Sequence, residues 1–395
     1  MKNTSASSRV LIIVRGIDIG GFHGDAERFG LELAKALNPS QYHVSVCAFY
    51  RHSTIAETYW ENGLRKGGVN LFYATDWSEK HKVLNPFRGI RSLARHLSSH
   101  RCDICHSHFQ LGEMMILYLK LLHPKLVLVG TFHLKEDWSK SILIRLRKWI
   151  FTDWLFPVFL NAEVGVSQDI TASLLNSPGA KIFKRKPRYI PNALSIPLKS
   201  GDEQPTLDLG FTPAGPLIGT IGRLSPQKGI NYLIQSMRQI LEERPDVDLI
   251  IVGDGIERRA LEAQTKQAGL DMRVHFLGSR QDIPQIFARL DLFVLPSLYE
   301  GLPTVILESM HYGVPVIATD IPGTRELIKH GVNGWLVPAQ NPDSLARAVV
   351  TTLNQPEERA QVKLNGFETS KAFTIEAIAL QYENLYAQFP RINYN

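Results

Sequence analysis

Cysteine is scarce in this chain, with Cys47, Cys102 and Cys105 the only three among 395 residues. That scarcity excludes a disulfide-stapled architecture and makes free, reduced thiols the expectation. No apolar run reaches the roughly 18 residues a membrane-crossing helix requires. Met1–Ser8 is polar and Arg9–Val14 reads as a short strand, so a signal-peptide core is lacking and a cytoplasmic protein is expected. Short-period repeats and low-complexity tracts are absent, which sets aside solenoids and disordered scaffolds. The Walker A pattern is missing, and so is a clean G-x-G-x-x-G. Apart from basicity, nothing points to a nucleic-acid partner.

Two cysteines fall in Cys102-Asp103-Ile104-Cys105-His106, the spacing of c-type haem attachment. Haem attachment requires export, for which no signal is seen. The segment also reads as a strand, whose alternation sends Cys102 and Cys105 to opposite faces. The same alternation cramps a zinc site using His106 and His108, and no metal is expected.

A chain of 395 residues exceeds what one hydrophobic core usually serves, so two domains are expected. Short apolar runs alternate with helical periodicity, the pattern of a parallel sheet covered by helices on both faces. In the first half, strands are predicted near Val10–Val14, His43–Phe49, Asn70–Tyr73, Ile104–Ser107, Leu126–Thr131 and Glu163–Ser167, with a helix over Asp25–Leu37. The segment from about Ala193 to Pro216, rich in Pro, Gly, Ser and Asp, reads as a linker. A second series runs from Leu217 to about Ser370, and Thr374–Phe389 reads as a final helix.

The most informative stretch is E-G-L-P-T-V-I-L-E, Glu300 to Glu308. Leu292–Leu295 reads as a buried strand ended by Pro296-Ser297, and Pro303 suits the first position of a following helix. Glu300 then lies in the loop and Glu308 within the helix, so both can face one crevice. Amides at the helix start lack intrahelical partners and favour an anion such as a diphosphate. One carboxylate is left for a ribose and the other for a sugar. Upstream, Leu217–Gly229 reads as a strand, a tight turn and a helix start. Gly222 permits close backbone approach, Arg223 offers a planar fork for phosphate and Lys228 a compact charge. Taken singly, each of these residues has a bland reading as an exposed loop or helix-face side chain.

In combination they carry a resemblance. The chain resembles the retaining glycosyltransferase family 4 in its E-x7-E element, its G-R-L-x-x-x-K-G turn, I-P-N-A at Ile190–Ala193, I-V-G-D-G at Ile251–Gly255, V-H-F-L-G at Val274–Gly278, P-S-L-Y-E-G-L-P from Pro296 and I-P-G-T-R-E-L-I from Ile321. The resemblance implies the GT-B fold, in which two Rossmann-like, doubly wound parallel-sheet domains face a central cleft. Here these would be residues 1–195 on the acceptor side and 196–373 on the donor side, with residues 374–395 packing back on the first. It implies metal-independent transfer from a nucleotide diphosphate sugar to an acceptor hydroxyl with retention, serving polysaccharide, lipopolysaccharide or glycolipid synthesis. The acceptor would be a glycan, a lipid-linked sugar or a small molecule, and no cofactor is expected.

Residue by residue, the resemblance implies that Glu300 positions the sugar, Arg223 and Lys228 meet the diphosphate and Glu308 holds the ribose. His133 would contact the donor sugar or its phosphate, with Asn192 nearby. Gly222, Gly301, Thr304 and Val305 would bind donor, and the backbone near Gly253 and Arg280 would meet the base. In the loop Gly16–Gly24, Asp25 stands where the family more often has a second glycine, leaving Gly24 as the position carried over. Cys105, His106 and His108 are candidates for the acceptor side. A phosphorylase or sugar-nucleotide epimerase on the same architecture remains an alternative, as does a non-catalytic nucleotide-sugar module.

Net charge is +6, but residues 1–195 carry about +11 and the remainder about −5. The basic half should meet an acidic partner, for which an anionic surface on the inner face of the cell membrane is a candidate. Ser139–Leu160 combines Lys140, Arg145, Arg147 and Lys148 with Trp149, Phe151, Trp154 and Phe156. It reads as an amphipathic helix packed on its sheet with the charged face outward and Pro157 marking its end, and the alternative is an interfacial helix.

Overall fold

The computed structural model describes residues 7–17, 25–78, 80, 84–108, 117–134, 142–194, 208–390 and 392. The described residues divide into two compact units, one formed by those through Ala193 together with those from Ile375 onward, the other by those between Leu194 and Thr374. Gly24 and the loop before it, Lys140 and most of the linker lie outside the described residues.

In the first unit seven parallel strands, β1 (Ser8–Val14), β2 (Tyr42–Arg51), β3 (Asn70–Asp76), β4 (Ile104–Ser107), β5 (Val127–Phe132), β6 (Ala162–Gly165) and β7 (Arg188–Tyr189), lie in the order β3-β2-β1-β4-β5-β6-β7. The register sets Val10 beside both Val44 and Ile104. Strands covered on both faces must be apolar along their length, and Val10–Val14 is wholly buried. Helix Asp25–Ala36 packs on β1, and helix Ile375–Tyr386 packs on that helix, adding Ile378, Ala379, Tyr382, Leu385 and Tyr386 to the core. Asn38 N–H donates to Glu383 Oε1 at 2.7 Å at the same seam.

The second unit holds six parallel strands, β8 (Leu217–Ile221), β9 (Asp248–Val252), β10 (Val274–Gly278), β11 (Leu292–Leu295), β12 (Val316–Thr319) and β13 (Trp335–Val337), in the order β10-β9-β8-β11-β12-β13. Apart from the extra edge strand β7, this repeats the first unit. In each sheet the order reverses beside its first strand, between β1 and β4 and between β8 and β11. Loops leaving the C-terminal ends of those pairs diverge and open a crevice where ligands of doubly wound sheets bind.

One reading is overturned. Residues 142–159 are helical, but as helix Ile142–Ile150, a wider π-type turn over Phe151–Leu155 and a short helix Phe156–Phe159. Pro157 opens the last of these rather than ending the segment, because a proline in a first turn sacrifices no hydrogen bond. Nor is the outward face simply the charged one: Ile142, Leu143, Leu146, Trp149 and Ile150 are exposed along with Arg145, whereas Arg147 is half-buried and Lys148 turns inward to Asp153.

Candidate active site

At the switch point of the second sheet the backbone of β8 passes almost against that of β9. Gly222 N–H donates to the Val252 carbonyl at 2.9 Å, and Gly253 N–H to that of Gly278 at 2.8 Å. Gly253 has φ of +133°, and a Cβ there would sit 1.9 Å from the Gly222 carbonyl oxygen, so only glycine fits. Beyond Gly222 the chain makes one tight turn, Pro226–Lys228, that brings Lys228 back over the strand end. Leu298 N–H donates to the Gln227 carbonyl at 2.7 Å, tying the loop after β8 to the loop after β11.

Two of the predicted residues meet here. Lys228 Nζ lies 2.7 Å from Glu300 Oε1, with both side chains largely withdrawn from solvent. Ser297 Oγ donates to the same carboxylate oxygen at 2.7 Å, and Gln227 Nε2 donates to Glu300 Oε2 at 3.3 Å and to the Tyr299 carbonyl at 3.0 Å. A buried carboxylate held by a cation and two neutral donors is fixed in orientation. Ser297 and Gln227 escaped the sequence reading: Ser297 lies inside the motif with no role attached, and Gln227 fills one of the unspecified places of G-R-L-x-x-x-K-G. Arg223 is exposed, and its guanidinium makes no hydrogen bond or ion pair among the described residues.

The helix after Glu300 runs Thr304–His311, with Pro303 at its N-cap, one place earlier than predicted. No side chain caps it. Ile306 N–H reaches the Pro303 carbonyl at 3.1 Å, while the Thr304 and Val305 amides find no protein acceptor among the described residues. Glu308 is buried in this helix, one turn past Thr304. Gly301 is buried too: a Cβ on Gly323 would lie 2.5 Å from its carbonyl oxygen, so the loop is clamped from behind. At the end of β10, Arg280 is committed to Asp282 through contacts of 2.8 and 2.6 Å and to the Asp208 carbonyl at 3.2 Å.

The first unit gathers histidines at its own switch point. His108 follows β4 and His133 follows β5, with His108 Nδ1 and His133 Nε2 3.4 Å apart. Phe29 packs edge-on to both rings. His108 Nε2, His133 Nδ1 and Asn192 Oδ1 are buried polar atoms without a hydrogen-bond partner. Loss of hydration pushes His133 down to about 3, against a smaller opposing effect of the Asn192 side chain, although the residue as a whole is only half-buried. His108 is held well below its usual value by burial and by the neighbouring histidines.

Cys105 and His106, expected on the acceptor side, are instead core residues. His106 Nδ1 pairs with Tyr386 Oη at 2.6 Å and Nε2 with Thr131 Oγ1 at 2.7 Å, and Tyr382 Oη lies 3.1 Å from that threonine. Both ring nitrogens are thus used internally. All three cysteines are buried, and none forms a disulfide. No cluster of three His, Cys, Asp or Glu with metal-ligand geometry occurs among the described residues. Nor is any helix among them long and apolar enough to cross a membrane.

Comparison with known proteins agrees with this architecture. The profile described as Glycosyl transferases group 1 matches residues 208–369, and that described as Glycosyltransferase Family 4 matches residues 26–194. The lipopolysaccharide core biosynthesis mannosyltransferase LpsB of Rhizobium meliloti (strain 1021) is 30% identical over 316 residues, 76% of this chain and 84% of that protein. The chain is a member of glycosyltransferase family 4. Among solved structures, this family 4 glycosyltransferase is similar to Anabaena HepE in complex with UDP-glucose, with TM-score 0.74, 22% identity, and coverage of 96% of this chain and 99% of that one. It is also similar to sucrose-phosphate synthase from Thermosynechococcus elongatus, with TM-score 0.78, 21% identity, and coverage of 96% and 98%. Such identities speak to the fold, and the fold of the family 4 chain is GT-B.

Proposed function

We propose that the chain transfers a sugar, with retention and without a metal, from a nucleotide diphosphate sugar to a hydroxyl of a glycan or lipid-linked acceptor in the synthesis of lipopolysaccharide or a related surface glycan. The observation that carries this reading is the Lys228–Glu300 pair, in loops that also carry the exposed Arg223 and lead to the open amides of Thr304 and Val305. Cations and amide dipoles are the groups a diphosphate needs to neutralise it, and the carboxylate paired with Lys228 is held in one orientation. The likeness to a lipopolysaccharide mannosyltransferase and to a protein solved with UDP-glucose supports the donor and acceptor classes.

In the transfer, the bond between the anomeric carbon and the donor phosphate oxygen breaks as a bond to the acceptor oxygen forms on the same face. The acceptor proton passes to the departing phosphate oxygen, and a nucleoside diphosphate leaves. Negative charge grows on that phosphate, so Arg223, Lys228 and the two amides stabilise the transition state more than the ground state. Glu300 positions the sugar as positive charge develops on it, and Glu308 accepts from the ribose hydroxyls. His133 and Asn192 of the first unit keep the role the resemblance assigns them, contact with the donor sugar.

A thermal-shift series with uridine, guanosine and adenosine diphosphates and their sugar conjugates, with and without chelator, tests the reading. A selective shift of about 5–10 °C that survives chelation is expected for one nucleotide at saturating concentration. Lys228→Ala and Glu308→Ala should weaken that shift, whereas Glu300→Ala should chiefly lower kcat. Absence of a shift with any nucleotide, or unchanged kinetics in all three variants, would refute the site.

A further inference from the structure

Helix Ile142–Ile150 is inside out. Its apolar residues Ile142, Leu143, Leu146, Trp149 and Ile150 fall at helical spacings of three, four and seven, hence on one stripe, and that stripe faces solvent. Ile142 is 79% exposed, Leu143 77% and Trp149 56%. Of the cations off that stripe, Lys148 Nζ pairs with Asp153 at 2.9 Å and Arg147 is half-buried, while Arg145 is exposed at its border. Ordinary packing on a sheet would place these two sets the other way round.

A second segment of the same character adjoins it. The short helix Pro178–Ile182 packs on the turn that follows Ile150, so closely that a Cβ on Gly179 would lie 2.5 Å from the Asp153 carbonyl oxygen. A cavity of about 380 Å³ is lined by Lys148 and Asp153 on one side and by Ser177 and Pro178 on the other. Beyond it Ile182 and Phe183 are exposed, and so are Lys181, Lys184, Lys186 and Arg188. Within residues 142–189 no carboxylate answers these cations at the surface, because Asp153 and Glu163 are buried and Asp169 is half-buried.

We infer that this face of the first unit docks onto an anionic lipid bilayer, with Leu143, Leu146 and Trp149 entering the interfacial layer and the lysines after Ile182 meeting the head groups. Exposed apolar side chains bordered by unanswered positive charge fit a surface that is at once negative and apolar beneath. Another copy of the chain is the wrong occupant, since it would set these cations against their own kind. The inference stands on residues outside the candidate active site and is independent of the transfer reading.

Flotation of the full chain with phosphatidylcholine vesicles, with and without phosphatidylglycerol, is the test. Binding is expected only with phosphatidylglycerol and should fall as salt rises. Leu143→Ser with Trp149→Ser should abolish it, and Lys184→Gln and Lys186→Gln should each lower the partition coefficient about fivefold. All four positions are exposed, so the variants should keep the parent melting temperature and any nucleotide-induced shift. No binding at low salt, equal binding to neutral vesicles, or variants that bind like the parent would overturn the inference. Self-association lost in the Leu143/Trp149 variant, without vesicle binding by the parent, would overturn it as well.

Discussion

The two units share one strand order but bury their polar groups by different means. In the second, buried carboxylates are answered by cations: Glu300 by Lys228, and Asp248 by Arg273 at 3.5 Å, with His275 Nε2 3.2 Å from the other oxygen of Asp248. The first also pairs Asp153 with Lys148, but around its sheet His106 is enclosed by hydroxyls, His108 and His133 face each other, and burial raises Glu163 to about 8, only partly offset by Arg185. A doubly wound sheet therefore accepts titratable interior groups either charged and paired or neutral and hydrogen-bonded. The second solution ties stability to pH, because each such group must stay neutral for the fold to hold.

That contrast can be broken most drastically by deleting residues 375–395. Ile378, Tyr382, Leu385 and Tyr386 each bury about 1.5–3 kcal/mol worth of apolar surface, against a typical domain stability of about 5–15 kcal/mol. The first unit should fail to fold while the second retains a cooperative melt, and calorimetry showing both transitions intact would contradict the assignment of this helix to the first core. The converse lesion is Gly253→Ala, which should cost the second unit more than about 3 kcal/mol through the clash with Gly222 and the positive φ, and leave protection of the first unit unchanged in hydrogen exchange.

Acid should separate the units without any mutation. His106 and His133 are lowered to about 3 from a usual value of 6.5, chiefly by burial, so the unfolded chain binds their protons first. Their contribution to stability is complete above pH 6.5 and is lost as pH falls from there toward 3. Limited proteolysis at falling pH should therefore open the first unit before the second, and simultaneous opening would show that the histidines are not held neutral. The mildest change is Tyr386→Phe, which leaves His106 Nδ1 without its partner at a cost of about 1–3 kcal/mol, confined to the first unit and read by denaturant unfolding.

Fold class was legible because strands buried on both faces must be apolar throughout. Ile104–Ser107 was placed to the residue, and the strands at Asn70 and Leu126 to within three. The segment after Ser139 was misread for an instructive reason. Periodicity tells which residues of Ile142–Ile150 share a face, but not which way that face looks, and the assumption that charge points outward supplied the error. Glu300 and Lys228 were identified singly. Their contact was not, because 72 residues separate them and only the adjacency of β8 and β11 brings their loops together. His106 shows the same limit: its strand was correctly placed, but Tyr386 lies 280 residues away.

The hydroxyl that meets His106 also has a consequence in time. A growing chain emerges from its N-terminus, and at roughly 5–20 residues per second the stretch between Ala193 and Ile375 takes about ten to forty seconds to make. Through that interval the first sheet waits with His106 and Thr131 unanswered and the groove beside Phe29 vacant, while the second unit, contiguous in sequence, can close around its own core. The half that is synthesised first is completed last, so a ribosome that stops just after Thr374 releases a finished second unit attached to an unfinished first one.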